Sequence, residues 1–222
     1  DFCLSRGLGD VYKRQEEIEA HAQAAIDKGS ASFAAAARMF DRQTRLSVVL
    51  LYAWCRHCDD VIDGQSLGSR TLQTDSEGLE RLAGLMRQTA AALDGAPDGP
   101  AFAGLALVAR RHELAREDLY EHLEGFGMDV RGERYETLAQ LLVYCHRVAG
   151  VVGLMMARIM GVTDTPTLAR AADLGLAFQL TNIVRDIVDD AKAGRVYVPL
   201  DWVMEEGLSL IHISEPTRQA EI

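Results

Sequence analysis

Apolar positions recur at helical spacing along most of the chain, and no stretch alternates apolar and polar residues with strand composition. Residues 16–28 are polar and alanine-rich, with Ile18, Ala22, Ala25 and Ile26 on one face, and GSAS at 29–32 interrupts the pattern before Phe33. Ser30 and Ser32 there suit a helix cap and equally offer hydroxyls to a phosphate. From Arg42 the period returns through Leu46, Val49, Leu50 and Ala53 and carries on to Asp63, with Gly64 as its stop. Residues 65–75 read as a loop. Leu79, Leu82, Leu85 and Met86 mark another amphipathic helix, and DGAPDGP at 94–100 is the clearest break. Helices over 101–112 and 117–128 follow. Asp129, at the end of the second, has no acidic partner at i+4 and reads as a local ion pair with Arg131 or Arg134 rather than a ligand.

Residues 138–160 form a long apolar segment in which Tyr144, Val148, Val152 and Met156 make an i, i+4 stripe. Such a stripe is ordinarily core. Here Gly150 and Gly153 interrupt the same helix, and glycine weakens a helix unless another backbone or a ligand comes close, so an apolar channel wall with one phenol also fits. Arg147 within it must reach solvent or pair with an acid. Gly161 closes the segment, and Thr165 with Pro166 supplies an N-cap and a first residue for the next helix. That helix carries GLAFQLTNIVRDIVDD at 175–190, where Gln179, Asn182, Asp186 and Asp190 stack along one face. Leu176, Phe178, Leu180, Ile183, Val184 and Ile187 surround the stripe, which predicts a helix facing the core nearly all round with its carboxylates turned inward. The pattern as a whole predicts an all-α, single-domain bundle of helices around a central cavity.

Inward carboxylates raise a question of charge, because desolvating ionised acids on adjacent turns is costly unless a cation compensates. A second acidic cluster, in YAWCRHCDDVID at 52–63, places Asp59 and Asp63 four apart with Asp60 between them. Either cluster alone also fits a decorated helix surface. Together, each with an arginine (Arg56 and Arg185), they favour two opposed helices that clamp a diphosphate. Mg²⁺ suits such a site, since it takes few protein carboxylates and completes its shell with water and phosphate. The 222 residues, 48% of them apolar, suffice for a sizeable core. A net charge of −10 leaves no basic stripe for nucleic acid. Apolar runs are broken by Arg, Asp or His within about a dozen residues, short of the roughly 20 needed to span a bilayer. Cys55 and Cys58 have CxxC spacing, with neither a second pair for zinc nor a following His for haem, so the cysteines read as core thiols.

Both ends of the chain can be encoded by one inverted DNA repeat, since the reverse complement of a coding string for residues 1–15 translates as residues 208–222. That string resembles a transposon-end sequencing adapter. Both tails are expected to be adapter-derived scars, with residues 16–207 as the native insert.

YAWCRHCDDVID, YCHRVAGVVG (144–153), GLAFQLTNIVRDIVDD and the GRVYVP that follows resemble, in order and spacing, the motifs of the squalene and phytoene synthase family, the head-to-head prenyl synthases. The likeness runs through residues 16–207, and its wording is nearest to the bacterial phytoene synthases of carotenoid biosynthesis. It implies an isoprenoid-synthase-type fold and a Mg²⁺-dependent prenyltransferase, with Mn²⁺ as a substitute. Such an enzyme joins two geranylgeranyl diphosphates through a cyclopropylcarbinyl (prephytoene) diphosphate to phytoene, without NADPH. A close variant would use farnesyl diphosphate and give squalene or dehydrosqualene. A terpene cyclase or chain-elongating synthase should lack YCHRVAGVVG, and a non-catalytic helical homologue should have eroded acids.

The same resemblance assigns residues. Asp59, Asp63, Asn182, Asp186 and Asp190 match metal ligands, and Arg56, Gln179 and Arg185 match substrate-binding positions. Ser30, Ser32 and Phe33 resemble the flap-side contact with diphosphate and chain. Tyr52 and Tyr144 match active-site tyrosines, and Val148, Val152 and Met156 would line the channel for the prenyl chains. Members of the family continue for several helices past the position of Gly207, so a C-terminally truncated fragment is expected, its cavity open to water on one side. Amphiphilic substrates imply a cytoplasmic enzyme in peripheral contact with the inner face of a membrane.

Overall fold

The computed structural model describes residues 2–63, 76–192 and 194–207, with side chains from residue 15 onward and without that of Asp63. The loop expected at 65–75, the tail at 208–222 and the side chains of residues 1–14 lie outside this description. The described chain is helical and contains no strand, in accord with the all-α reading. Its elements are α1 (Phe2–Gly29), α2 (Ala31–Ala37), α3 (Arg42–Asp63), α4 (Ser76–Leu93), α5 (Gly99–Arg111) and α6 (Arg116–Val130), then α7 (Leu138–Cys145), α8 (Val151–Ile159), α9 (Thr165–Lys192) and the short α10 (Leu200–Glu205).

Local chemistry places the helix ends. Asp41 opens α3, its carboxylate accepting from the backbone N–H of Gln43 and Thr44 and from the Thr44 hydroxyl, which leaves fewer orphan donors in the first turn. Asp164 does the same for α9 by accepting from Thr167 N at 2.9 Å. The cap therefore lies one residue before Thr165, where the sequence reading put it. Ser30 Oγ accepts from Phe33 N at 3.2 Å and caps α2.

The main core gathers faces of α1, α3, α4, α5, α6 and α8, with Trp54, Phe102, Leu105, Leu119, Leu123 and Met155 essentially closed to solvent. A smaller cluster joins Met128, Tyr135, Leu141, Tyr144, Ile183 and Tyr197. Cys58 and Cys145 are buried and free, as core thiols should be.

Between the two clusters runs one long helix that is not uniform. Residues His146–Gly150 form a π turn that joins α7 to α8. In an α-helix Val151 N–H would bond the Arg147 carbonyl, four residues back. Here it bonds His146 O, five back. The extra residue splits the stripe read from the sequence: Tyr144 and Val148 belong to the smaller cluster, Val152 and Met156 to the main core. Taken through the turn, Leu138–Ile159 is 22 residues long and by length and composition apolar enough to cross a bilayer, longer than the interrupted runs expected. It packs on α6 and on α9, as a core helix does.

Glycines set how near α9 approaches this helix. A Cβ at Gly153 would fall on the Ala171 carbonyl oxygen, one at Gly175 on the Ala149 carbonyl oxygen, and one at Gly150 would lie 2.7 Å from the His146 ring and the Leu176 side chain. The partner that approaches Gly153 is thus another helix backbone, and Gly150 is met by the side chains of His146 and Leu176. Packed on that flank alone among the described residues, α9 is not core-facing all round as its sequence suggested. Phe178 is 62% and Val184 73% exposed, and the buried residues of α9 are Leu168, Ala172, Gly175, Ile183 and Ala191.

Arg147 pairs with Glu121 at 2.9 Å and touches the Met128 sulfur, which settles the choice between solvent and an acid. On α6 the buried His122 ring lies between Trp54 and Phe126, with centroids 5.5 and 4.9 Å away. Burial lowers its pKa to about 4.

Two outcomes follow for stability. Gly175→Ala should destabilise by roughly 1–3 kcal/mol through overpacking. Gly84→Ala, in the interior of α4 where a Cβ meets nothing nearer than 3.9 Å, should stabilise by up to about 1 kcal/mol; urea midpoints of the two variants check both signs. For His122, the folded value near 4 lies below the ordinary 6.5, so the unfolded chain takes up a proton that the folded chain refuses. Stability present above about pH 6.5 is lost as pH falls toward 4. Between pH 7 and 4.5 the wild type should lose roughly 2–3 kcal/mol more than His122→Asn, measured by denaturant titration at the two pH values.

Candidate functional site

The first acidic cluster occupies the last turns of α3, and the second lies in the C-terminal half of α9. Helix C-termini carry partial negative charge, so carboxylates collected there repel unless cations neutralise them. Arginines of the same helices do so. Arg56 pairs with Asp59 at 3.1 Å and Asp60 at 2.7 Å. Arg185 grips Asp186 with two hydrogen bonds, Nε to Oδ1 at 2.7 Å and an Nη to Oδ2 at 2.6 Å, and hydrogen bonding by this guanidinium holds the Asp186 carboxyl below its ordinary pKa. The Asp59 and Asp186 side chains are 41% and 40% exposed. The acids thus stand at a wet rim instead of pointing into the core, because α9 lacks the all-round burial its sequence predicted. Asn182 and Asp190 are half-buried on the same helix, and the side chain of Asp63 lies outside the described residues.

Helices α3 and α9 are not packed flank to flank; α8 lies against both. Among the described residues no three acidic, histidine or cysteine side chains gather as a ready-made cage. Mg²⁺ does not need one, since one or two carboxylates suffice when phosphate and water complete its shell. Oxygen donors alone, partly exposed and on two helices, fit such an ion by their chemistry.

Tyr52 lies half-buried on α3, its ring 5.7 Å from that of Phe33 and its hydroxyl against Gly29. Burial raises its pKa. Phe33 is 45% exposed and Ser32 is exposed, while the Ser30 hydroxyl caps α2. Gln179 is half-buried on α9, on the face that carries Asn182 and Asp186.

The smaller cluster holds a polar centre that the sequence did not disclose. Asp129 accepts from the Tyr144 hydroxyl at 3.0 Å and from the Tyr197 hydroxyl at 2.9 Å. Arg131 meanwhile bonds Glu124 and Glu133, so the phenols are partners that the reading of Asp129 as a local pair with Arg131 or Arg134 did not include. Tyr197 reaches this point because Gly194, at φ 78, turns the chain at the end of α9. The chain then runs beside residues 135 and 136, with Leu200 N donating to Tyr135 O and Asp201 N to Glu136 O. Rings of Tyr144 and Tyr197 stack at 5.1 Å, and Tyr135 stacks on Tyr197 at 6.4 Å. Burial, then the Asp129 charge, push the phenols of Tyr144 and Tyr197 well above the usual range. The GRVYVP run was the available signal for Tyr197, and no local pattern marked Asp129 as its acceptor.

A shallow recess beside Tyr197 is lined by Ile183, Ile187, Asp190 and Arg195, so the second acidic cluster adjoins this polar centre. A separate open groove of about 690 Å³, lined by Leu142, Val143, Leu154, Arg158 and Leu168 among others, includes neither acidic cluster.

A family model described as squalene/phytoene synthase matches residues 26–221. The chain is 54% identical over 205 residues to a protein of Pantoea ananas named 15-cis-phytoene synthase, covering 90% of this chain and 66% of that protein. It is 53% identical over 192 residues to one of the same name from Enterobacter agglomerans, covering 86% and 65%. It therefore spans just under two thirds of the length of these relatives. Among solved structures it superposes on a ligand-bound dehydrosqualene synthase with a TM-score of 0.78 at 30% identity, covering 92% of this chain and 68% of that one. Squalene synthase HpnC from Alicyclobacillus acidocaldarius gives the same TM-score at 24% identity, covering 91% and 73%, a likeness of fold.

Replacing Asp129 by alanine would leave two buried phenols without their acceptor and should cost about 2–3 kcal/mol. Asp129→Asn, which keeps the shape and removes the charge, should cost less and move the titration of Tyr144 and Tyr197 downward, read from phenolate absorbance in alkaline solution.

Proposed function

The chain belongs to the squalene/phytoene synthase family, and from that premise we propose that it condenses two geranylgeranyl diphosphates head to head into phytoene through a cyclopropylcarbinyl diphosphate. What carries the reading is the paired arrangement on α3 and α9, each helix bearing half-exposed carboxylates gripped by its own arginine. Likeness above 50% identity to proteins named 15-cis-phytoene synthase supports the choice of substrate.

Exposed ion pairs of this kind contribute little to folding. That makes them exchangeable: a diphosphate and its cation offer each partner a stronger one, carboxylate to cation and guanidinium to phosphate. Asp59, Asp186, Asp190 and Asn182, with Asp63, would hold Mg²⁺ or Mn²⁺. The ion, when bound, supplies neutralisation of the departing diphosphate. Arg56 and Arg185 hold phosphate oxygens as negative charge builds on them. Gln179 orients the diphosphate from the same face of α9, Ser32 and Phe33 close over it from α2, and Ser30 shapes that turn as its cap. Tyr52 and Tyr144 bound the space where the allylic cation forms, and Val148, Val152 and Met156 flank the chains and keep water from the cation. Loss of two diphosphates and two protons, one as the cyclopropane closes and one as the final cation is quenched, balances the carbon–carbon bond formation without a reductant, so no nicotinamide cofactor is required. The substrates are amphiphilic, which supports a cytoplasmic enzyme in peripheral contact with a bilayer. The acidic surface offers nothing to nucleic acid.

The test is turnover of labelled geranylgeranyl and farnesyl diphosphates with and without Mg²⁺, by the chain alone and joined at Gly207 to the C-terminal third of a bacterial relative. Phytoene formed only with Mg²⁺ is expected, with Asp186→Ala slower by on the order of 100-fold or more. Consumption of farnesyl diphosphate instead would replace the phytoene reading with a squalene-type one, and a folded protein that binds neither diphosphate would end both.

A further inference from the structure

The π turn in the central helix has a specific partner on α6. Because Val151 N–H bonds His146 O, the Arg147 carbonyl loses the donor an α-helix would give it. Nδ1 of His122 lies 3.3 Å from that carbonyl oxygen. A carbonyl only accepts, so Nδ1 carries the hydrogen and Nε2 is left a bare acceptor. Nε2 is buried and has no hydrogen-bond partner among the described residues. An apolar residue at 122 would have avoided that orphan, so packing alone does not account for an imidazole here.

Helix α6 comes close enough for this contact because position 125 is glycine. A Cβ there would lie 2.7 Å from Val148 Cγ1 and 3.1 Å from Arg147 Cβ. Gly125 and His122 thus grip the same turn, one by its small size and one by hydrogen bonding. The turn is also where the stripe divides, with Tyr144 and Val148 before or within it and Val152 and Met156 after it. Reversion to α geometry would rotate everything beyond the turn by about 100° relative to what precedes it.

We infer that His122 is a positioning residue that holds the central helix in its π register and thereby sets which side chains of that helix meet the prenyl chain. The inference rests on the prenyl diphosphate reading proposed above. It assigns His122 to selectivity for chain length, acting through Arg147 O and without contact with substrate.

Two substitutions separate its roles. His122→Phe keeps a ring between Trp54 and Phe126 and removes the donor, whereas His122→Asn keeps an N–H donor and removes the ring. Hydrogen exchange is followed by mass spectrometry over residues 146–152, with α5 as an internal reference. Affinities for the unreactive thiolodiphosphates of geranylgeraniol and farnesol are measured by calorimetry. His122→Phe should speed exchange in 146–152 by about tenfold with α5 unchanged, and change the ratio of the two affinities by about fivefold or more. His122→Asn should keep the wild-type ratio. An unchanged ratio in His122→Phe, with or without faster exchange, would overturn the inference, as would a failure of both variants to fold, which would assign His122 to the core alone. A wild-type chain that binds neither thiolodiphosphate overturns the prenyl diphosphate reading itself, before any variant is compared.

Discussion

The contact between the backbones of the central helix and α9 is the constraint on which the rest depends. Gly153 and Gly175 place no side chain at the crossing, so a carbonyl oxygen of each helix lies against a glycine of the other, and Gly150 leaves room for the Leu176 side chain beside it. A crossing this close tolerates little sliding, because a shift of one residue brings a Cβ into a carbonyl. The position of α9 follows from it, and with that the line of Gln179, Asn182, Asp186 and Asp190, whose place relative to α3 is then fixed through α8. The chain leaving α9 turns at Gly194 and returns to Tyr135, which brings Tyr197 onto the Asp129 carboxylate. Glycine lowers helix stability locally, and in this structure tight packing offsets that cost where the site is built.

Charge is distributed by the same geometry. Acids in the core would need permanent partners of matching geometry, and breaking such a pair would be severely destabilising. At the rim, partly hydrated and held by neighbouring arginines, the Asp59 and Asp186 carboxylates are exchangeable. Asp129 is the contrasting case. Two phenols donate to it inside an aromatic cluster, so it acts as an anchor that orders Tyr144 and Tyr197.

Much of this was legible in the chain. Helical period located most of the helices, and a capping residue located the start of α9 to within a residue, Asp164 in place of Thr165, whereas α5 begins two residues before and α6 ends two residues after the expected positions. The glycines of the central helix announced a close neighbour, but whether backbone or ligand was open until Ala171 and Ala149 were found against Gly153 and Gly175. The burial of α9 was misjudged because apolar residues on several sides of a helix say that the faces are greasy, not which faces have neighbours; Phe178 and Val184 stand exposed. The phenol partners of Asp129 were not foreseen because the local arginines are visible in sequence, whereas the Tyr197 hydroxyl arrives from 68 positions away.

By itself the sequence determined the helices, the two acidic clusters with their arginines and, through those blocks, the family to which the chain belongs. These depend on residues within a few turns of one another, where spacing is geometry. Only the tertiary structure decided which helix flanks are covered, that carboxylates sit at a rim, that a π turn divides the apolar stripe, and that a histidine from α6 takes the carbonyl the turn releases. Each of those depends on partners distant in sequence, and an unpaired carbonyl or a bare imidazole nitrogen acquires its energy only from what is packed against it.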